Sequence, residues 1–176
     1  GKILVAGYGY ETTYDFILVR YNPDGTRDTD FATGGVLQVD FDGGSDRANA
    51  MALQPDGRII LAGRSGGDFG LARCSAAGVP DPEFSTGGKV VTDLGAAYAE
   101  EAYGVALQAD GKIIVVGKTY NPDYSYDTGL VSYNPDGSLD TSFDEDGRLL
   151  TDNVGFRDYG HAIVLQPDGQ IVIAGF

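Results

Sequence analysis

One apolar-turn-apolar unit recurs along this chain and constrains its fold more than any other feature. It occupies residues 51–63, returns at 105–117 and 163–175, and residues 1–7 correspond to its second half. Two apolar runs joined by Pro-Asp-Gly predict a β-hairpin, because proline presets φ and glycine accepts a positive φ. The sequence therefore predicts a series of similar hairpins.

Glycine is the essential member of each turn. In the copy at 108–111, Ala109 replaces the proline, which removes some pre-ordering of the unfolded chain but no required geometry. We therefore expect this turn to form as well. A β-branched residue at Gly57, Gly111 or Gly169 would cost about 1–3 kcal/mol, because it would be forced into a left-handed conformation.

The turn glycines define the repeat. Gly1, Gly57, Gly111 and Gly169 are separated by 56, 54 and 58 residues, a period that indicates stacked or radial repeats. Residues 1–176 are predicted to form a single repeat domain, divided into 1–56, 57–110, 111–168 and the start of a fourth repeat at 169–176. Because the chain starts on a turn glycine, we expect it to be a piece of a longer polypeptide.

Each repeat contains four strand-like runs. In the first repeat these are strands B, C, D and A, at residues 3–6, 16–21, 36–41 and 48–53. Strand B is apolar at consecutive positions, which predicts that both of its faces are covered. In strand A, Ala48, Ala50 and Ala52 are expected to point to one face and to allow neighbouring sheets to approach closely. Phe31, Phe84 and Phe143 recur after strand C and are expected to fill the underside of each unit.

The fold class is predicted to be all-β. The chain has 27 glycines in 176 residues and no sustained helical periodicity, which favours many short strands joined by tight turns. Four-stranded antiparallel sheets that recur every fifty-odd residues predict a β-propeller, and three repeats make an incomplete ring because propellers use about four to eight blades. A β-solenoid is the alternative, but the tight turns require antiparallel neighbours.

Charge and composition exclude some partners. The net charge of −14 argues against nucleic acid, and no 20-residue apolar run is present, which argues against membrane insertion. Cys74 is the only cysteine and lies in an apolar strand, so we interpret it as a buried, unreactive thiol without a disulfide partner.

Three segments together resemble a known family. Ala-Asn-Ala-Met-Ala-Leu-Gln-Pro-Asp-Gly-Arg-Ile-Ile-Leu-Ala-Gly at 48–63, Asp-Phe-Ile-Leu-Val-Arg-Tyr-Asn-Pro-Asp-Gly at 15–25 and Phe-Ala-Thr-Gly-Gly at 31–35 resemble the delta-sixty repeat family of bacterial β-propellers. The resemblance covers essentially the whole chain. It implies a large secreted or cell-surface bacterial protein, and it carries no catalytic residues that can be transferred.

The connections between strands B and C vary in length and are therefore the expected place for function. From the glycine that ends strand B to the aspartate that begins strand C, the residue number increases by 8, 5 and 10 in the three repeats. The two longer connections are rich in tyrosine. Tyrosine combines flat apolar area with a hydroxyl group, which suits sugar or protein ligands, although the rings can also simply cover blade edges. The candidate ligand-binding residues are Tyr8, Tyr10, Tyr14, Tyr120, Tyr124 and Tyr126.

Carboxylates at the start of strand A are the candidate metal ligands. Asp46, Glu100 and Asp158 occupy equivalent repeat positions beside the expected propeller axis. If they converge, their oxygens can bind a hard cation such as calcium. The alternative is ordinary solvated charge at the rim. No other cofactor is expected.

Catalysis has little support in the sequence. His161, the only histidine, corresponds to Asn49 and Tyr103 and so occupies a variable position, and no motif of a hydrolase or nucleotide-binding site is present. We therefore predict a non-enzymatic structural or binding module that contacts glycans or proteins.

Two other functions remain open. One is a polysaccharide hydrolase or lyase that uses carboxylates at the channel mouth. The other is a segment of a longer self-assembling array. In each case the expected partners include further blades, from the same longer chain or from a second copy.

Overall fold

The protein is all-β. A computed structural model describes residues 1–95, 98–121, 125–151 and 157–176, and these ranges contain thirteen β-strands and no helix. The strands are β1 (Ile3–Tyr10), β2 (Tyr14–Tyr21), β3 (Val36–Val39), β4 (Asp46–Leu53), β5 (Ile59–Ser65), β6 (Asp68–Cys74), β7 (Lys89–Thr92), β8 (Glu100–Leu107), β9 (Ile113–Tyr120), β10 (Tyr126–Tyr133), β11 (Arg148–Thr151), β12 (Gly160–Leu165) and β13 (Ile171–Gly175).

The strands form four antiparallel sheets in chain order. Blade 1 is β1-β2-β3, blade 2 is β4-β5-β6-β7, blade 3 is β8-β9-β10-β11, and blade 4 is β12-β13. This arrangement confirms the predicted propeller blades and excludes the β-solenoid, because neighbouring strands within every sheet run antiparallel. The sheets do not close into a ring. The described ranges also contain no helix that is long and apolar enough to cross a membrane.

The hairpin turns have the predicted geometry. The Gly57 amide donates to the Gln54 carbonyl at 2.9 Å, and φ of Gly57 is +87°. Where Ala109 replaces the proline, the Gly111 amide still donates to Gln108 at 3.0 Å with φ of +88°. Glycine, rather than proline, is therefore the residue that these turns require.

The core lies between the blades. In β5, Ile59 and Leu61 belong to the cluster shared with blade 1, whereas Ile60 and Ala62 belong to the cluster shared with blade 3. All four side chains are buried, so β5 confirms the prediction that strand B is covered on both faces. In β1, Ile3 and Val5 are about half exposed, so the prediction does not hold for the first repeat. Each buried aliphatic side chain of this kind stabilises the fold by roughly 1.5–3 kcal/mol.

Strand A contains a β-bulge that the sequence interpretation missed. Ala48 pairs with Gly63 and Ala50 pairs with Ala62, so Asn49 is an extra residue opposite β5. The extra residue changes the alternation of side chains between the two faces of the strand. Ala48 therefore packs in the cluster on the blade 1 side, whereas Ala50 packs in the cluster on the blade 3 side. The expectation that Ala48 and Ala50 share a face was therefore wrong. The same bulge recurs at Tyr103 and His161.

Phenylalanines join successive blades at the end opposite the bulges. Phe31 and Phe84 are fully buried, as predicted, and Phe31 lies so close to Gly78 of the next blade that a side chain there would overlap its ring. Phe143 is only partly buried, because the described part of blade 4 consists of β12 and β13 alone.

An ion pair with one buried and one partly buried member accompanies each phenylalanine in the first two blades. The Arg73 guanidinium lies 4.6 Å from the Phe84 ring centroid, and its Nε donates to Asp81 Oδ2 at 2.7 Å. Blade 1 repeats the arrangement with Arg20 and Asp28. Each arginine also donates to a backbone carbonyl of the following blade, at Pro135 and Ala76 respectively. This contact makes the ion pair part of the junction between blades.

Cys74 is a free, buried cysteine in the core between blades 1 and 2. Burial, together with the charge of Asp81, raises the pKa of its thiol to about 12. The thiol is therefore protonated at neutral pH, in agreement with the interpretation of an unreactive buried residue.

Candidate binding surface at the variable end of the blades

The five predicted tyrosines that the structure describes lie in strands rather than within long loops. Strand β1 extends to Tyr10 and β2 begins at Tyr14, so only residues 11–13 connect them. In blade 3, Tyr120 ends β9 and Tyr126 begins β10, while Tyr124 lies outside the described residues. Each of the five described rings is thus held by a strand.

The tyrosines belong to two separate groups. The first-blade cluster consists of Tyr8, Tyr10 and Tyr14, with ring centroids 5.6 Å apart for Tyr8 and Tyr14 and 5.1 Å apart for Tyr10 and Tyr14. The Arg47 guanidinium covers it, at 5.2 Å from the Tyr8 ring and 4.8 Å from the Tyr14 ring. A cation over these rings already occupies part of the face that a ligand would use.

The second group is larger and spans blades 3 and 4. Tyr120 and Tyr126 are stacked, with centroids 4.8 Å apart and planes inclined by 28°. Tyr98 continues the row on one side, 5.4 Å from Tyr120, and Tyr159 continues it on the other, 5.8 Å from Tyr126. We call the whole row the aromatic strip, which consists of Tyr98, Tyr103, Tyr120, Tyr126, Tyr159, His161 and Phe176.

The bulges supply two members of the aromatic strip. The Tyr103 and His161 rings are 5.0 Å apart, and both contact Tyr159, at 6.0 and 4.9 Å. Phe176 completes the strip, 4.6 Å from Tyr159. Tyr98, Tyr103, Tyr159 and Phe176 were not predicted from the sequence as site residues. The available signal was the common repeat position of His161, Tyr103 and Asn49, which was interpreted only as variable.

A charged pair lies among these rings. Lys118 Nζ lies 5.2 Å from the Tyr103 ring centroid, 5.5 Å from that of Tyr126 and 5.7 Å from that of Tyr159. It also lies 3.3 Å from Glu101 Oε2, which accepts a 2.9 Å hydrogen bond from the Tyr103 hydroxyl. Rings and charges therefore form one connected surface.

Both members of this pair stay charged at neutral pH. Burial opposes ionisation of Glu101, but hydrogen bonds from Tyr103 and Asn49 and the charge of Lys118 hold its pKa below the ordinary value. Burial likewise disfavours the charged form of Lys118, yet Tyr103 and Glu101 raise its pKa above the ordinary value. The surface thus offers a fixed cation and a fixed anion close together.

A small cleft opens beside the stacked pair. It has a volume of about 110 Å³ and is lined by Arg64, Ala99, Glu100, Glu101, Lys118, Tyr120 and Tyr126. Tyr98 and Phe176 are well exposed, at 58% and 69%, so both ends of the aromatic strip are open to solvent. A ligand can contact the rings there without any rearrangement of the core.

The predicted carboxylate cluster does not form as expected. Among the described residues, Asp46 groups with Asp15 and Asp40, whereas Glu100 groups with Asp68 and Asp93. Asp158 belongs to neither group. Residues at equivalent positions of successive blades each lie beside the loops of a different blade junction. Occupying the same position in the repeat therefore does not bring these carboxylates together.

Comparison with known proteins identifies the family. The sequence profile of a domain of unknown function, the DUF5122 beta-propeller, matches residues 1–31, 54–84 and 108–143, which together make up more than half of the chain. The chain belongs to this family. No curated protein matches the sequence significantly.

The DUF5122 segments cover one part of each repeat. Each includes strands B and C and ends on Phe31, Phe84 or Phe143, the phenylalanine that follows strand C. Strand A, which carries the bulges, lies outside the matched ranges. The DUF5122 match therefore supports the repeated scaffold, and it assigns no role to most of the aromatic strip.

Proposed function

We propose that this DUF5122 propeller is a non-enzymatic binding module that holds a neutral polysaccharide on the aromatic strip. The observation that carries the proposal is the stacked pair of Tyr120 and Tyr126, which continues into a row of rings around Lys118 and Glu101. Sugar rings have apolar faces that pack on aromatic rings, and their hydroxyls bond to carboxylate, amide and ammonium groups.

The polar groups favour a sugar over an apolar ligand. Glu101 accepts from both Tyr103 and Asn49, so its oxygens are held in fixed positions beside the rings. An ordered anion and cation between flat rings suit a ligand with many hydroxyl groups. The net charge of −14 also favours a neutral ligand over a polyanionic one.

Binding measurements on a panel of soluble polysaccharides test this proposal. Tyr126→Ala should weaken binding at least about tenfold, equivalent to ~1.4 kcal/mol, because it removes the ring at the centre of the strip. Lys118→Met should weaken binding while it keeps much of the apolar stem. Tyr10→Ala is the matched control, since it removes an exposed tyrosine of the first-blade cluster.

The same panel separates the alternatives. Binding that is equal in Tyr126→Ala and the wild type would place the ligand elsewhere. Release of new sugar ends would instead support the polysaccharide hydrolase or lyase. Binding to proteins but to no polysaccharide would support a protein partner on this surface.

We further propose that other blades cover the two outer sheet faces. Ile3 is 48% exposed, whereas Ile59 at the same position of the next repeat is 2% exposed beneath a neighbouring blade. The opposite outer face presents Val164 and Val172, which are also exposed. Such faces favour further blades of a longer chain, a second copy or an array as partners.

Sedimentation velocity of the 176-residue chain tests the second-copy arrangement. Self-association that Val172→Glu abolishes would support it. A concentration-independent monomer would contradict it and leave a longer chain as the source of the covering blades.

The resemblance to delta-sixty repeats supports an extracellular or cell-surface location in a bacterium. Detection of the parent protein with an antibody on intact cells tests this location. A signal that appears only after lysis would contradict it.

A further inference from the structure

Three carboxylates meet at the junction of blades 1 and 2. Asp15 lies near the start of β2, Asp40 directly follows β3, and Asp46 begins β4. These three places share one end of the blades, and one carboxylate oxygen from each residue lies within 4.8 Å of the others. Three negative charges at this separation repel one another unless a cation or a proton lies between them.

Asp46 is the unusual member of the cluster. It is 0% exposed, and its Oδ2 accepts a hydrogen bond from the Phe41 amide at 2.9 Å. Its Oδ1 is also buried, and within the described residues it has no hydrogen-bond partner. A buried carboxylate oxygen without a donor is costly, so this atom favours the binding of a cation beside it.

The other two carboxylates are held in place by their own contacts. Asp15 Oδ2 accepts from Gln38 Nε2 at 2.5 Å, and Asp40 Oδ1 accepts from the Gly43 amide at 2.7 Å. The neighbouring cation, Lys89, donates to the backbone carbonyl of Asp40 at 2.7 Å rather than to a carboxylate. The cluster is therefore ordered without a salt bridge from Lys89 to its carboxylates.

We propose that Asp15, Asp40 and Asp46 bind a calcium ion, with Asp46 Oδ1 as the buried ligand. Calcium binds oxygen at about 2.3–2.6 Å, so two of its ligand atoms can lie up to roughly 5 Å apart. Magnesium, at about 2.0–2.1 Å, requires ligands within roughly 4.2 Å and a stricter geometry. The upper limit of 4.8 Å on the separations within the cluster lies inside the range that calcium accepts. Water or backbone oxygens would complete the coordination.

The next junction provides an internal comparison. Asp68, Asp93 and Glu100 form a similar cluster, but glutamate is one methylene longer. Both Glu100 oxygens accept from the Leu94 amide, at 2.9 and 2.8 Å. The Leu94 amide thus donates to both oxygens of Glu100, whereas Asp46 Oδ1 has no donor among the described residues. Glu100→Gln therefore serves as a matched control for Asp46→Asn.

Calorimetric titration of the whole chain with calcium chloride, after treatment with EDTA, tests the proposal. The wild type should bind calcium, and its thermal midpoint should rise in calcium relative to EDTA. Asp46→Asn should weaken binding at least about tenfold, yet raise the midpoint in EDTA because one repelling charge is gone. Asp40→Asn, at an exposed position, keeps an oxygen for the Gly43 amide and should weaken binding in the same way.

Each control has a defined outcome. Asp42→Asn changes an exposed carboxylate outside the cluster. Calcium should still raise the thermal midpoint of Asp42→Asn and of Glu100→Gln, because neither substitution changes the cluster at this junction. Equal rises in wild type, Asp46→Asn and Asp40→Asn would overturn the site. So would the absence of calcium binding by the wild type at millimolar concentration, or an equal rise with sodium chloride at matched ionic strength.

Discussion

A methyl group on Gly63 would lie 1.8 Å from the carbonyl oxygen of Arg47. This distance is far inside van der Waals contact, so the bulge in strand A occupies the space that a side chain on β5 would need. Gly117 and Gly175 are similarly close to the carbonyls of Glu101 and Tyr159. In β5, β9 and β13, the glycine that follows the apolar run is therefore required by the neighbouring backbone.

We expect Gly63→Ala to destabilise the protein by about 3 kcal/mol or more, because backbone rather than a flexible side chain must move. Gly7→Ala is the matched control, since Gly7 holds the same repeat position but has nothing within 4 Å of the added methyl. It should be neutral or slightly stabilising. Urea unfolding of both variants gives the comparison, and equal losses would contradict the role of the bulge.

The buried pair of Arg73 and Asp81 should be important for stability. Arg73→Met keeps much of the contact with Phe84 but leaves the Asp81 carboxylate with the hydrogen bond from the Glu83 amide and the more distant charge of Arg58, at 3.3 Å. We expect a loss of about 3 kcal/mol, typical when one partner of a buried pair is removed.

A double-mutant cycle with Asp81→Asn tests whether this loss comes from the pair itself. The double variant should lose less than the sum of the single losses. Asp146→Asn, in the exposed pair with Arg148, should change the free energy of unfolding by less than about 1 kcal/mol. Additive losses at Arg73 and Asp81 would show that the two side chains act independently.

The same pair predicts acid sensitivity. Burial alone would raise the pKa of Asp81, but the Glu83 amide and the Arg73 charge outweigh it and lower the pKa below 3.8. A carboxyl group whose pKa is lower in the folded than in the unfolded protein stabilises the fold above its unfolded pKa, near pH 4. This stabilisation is lost as the pH falls through its folded pKa. The difference in unfolding free energy between wild type and Asp81→Asn should therefore shrink from pH 7 to pH 3.

Cys74 should resist modification in the folded protein. With a thiol pKa of about 12 and a buried sulfur, only a very small fraction is thiolate at pH 8. Ellman's reagent should react with one thiol per chain in urea and with almost none in its absence. Rapid reaction of the native protein would show that the core between blades 1 and 2 opens readily.

Local patterns predicted much of the scaffold correctly. The turn glycines, the doubly covered β5 and the buried Phe31 and Phe84 each follow from backbone dihedrals or from apolar spacing within a few residues. Strand ends were less accurate, because alternation continues through Tyr8 and Tyr10 into what was interpreted as a loop. Glycine and tyrosine there suggested a connection, but cross-strand pairing with β2 extends the strand.

The candidate sites depended on contacts that repeat alignment does not give. Alignment correctly related Asp46 to Glu100, but it did not show that each would group with carboxylates of its own junction. It also placed Tyr14 and Tyr126 at comparable loop ends. Only the structure shows that Arg47 covers the first and that Lys118 and Tyr159 flank the second.

The bulges have a consequence for how such a chain can diversify. Asn49, Tyr103 and His161 each lack an opposite residue on strand B, so their identities are not dictated by cross-strand packing. In blades 2, 3 and 4, this one position can thus be asparagine, tyrosine or histidine while the hydrogen-bonded pairing of the surrounding strands stays the same. New recognition surfaces can therefore arise on this scaffold through single substitutions that leave the strand pairing of the blades unchanged.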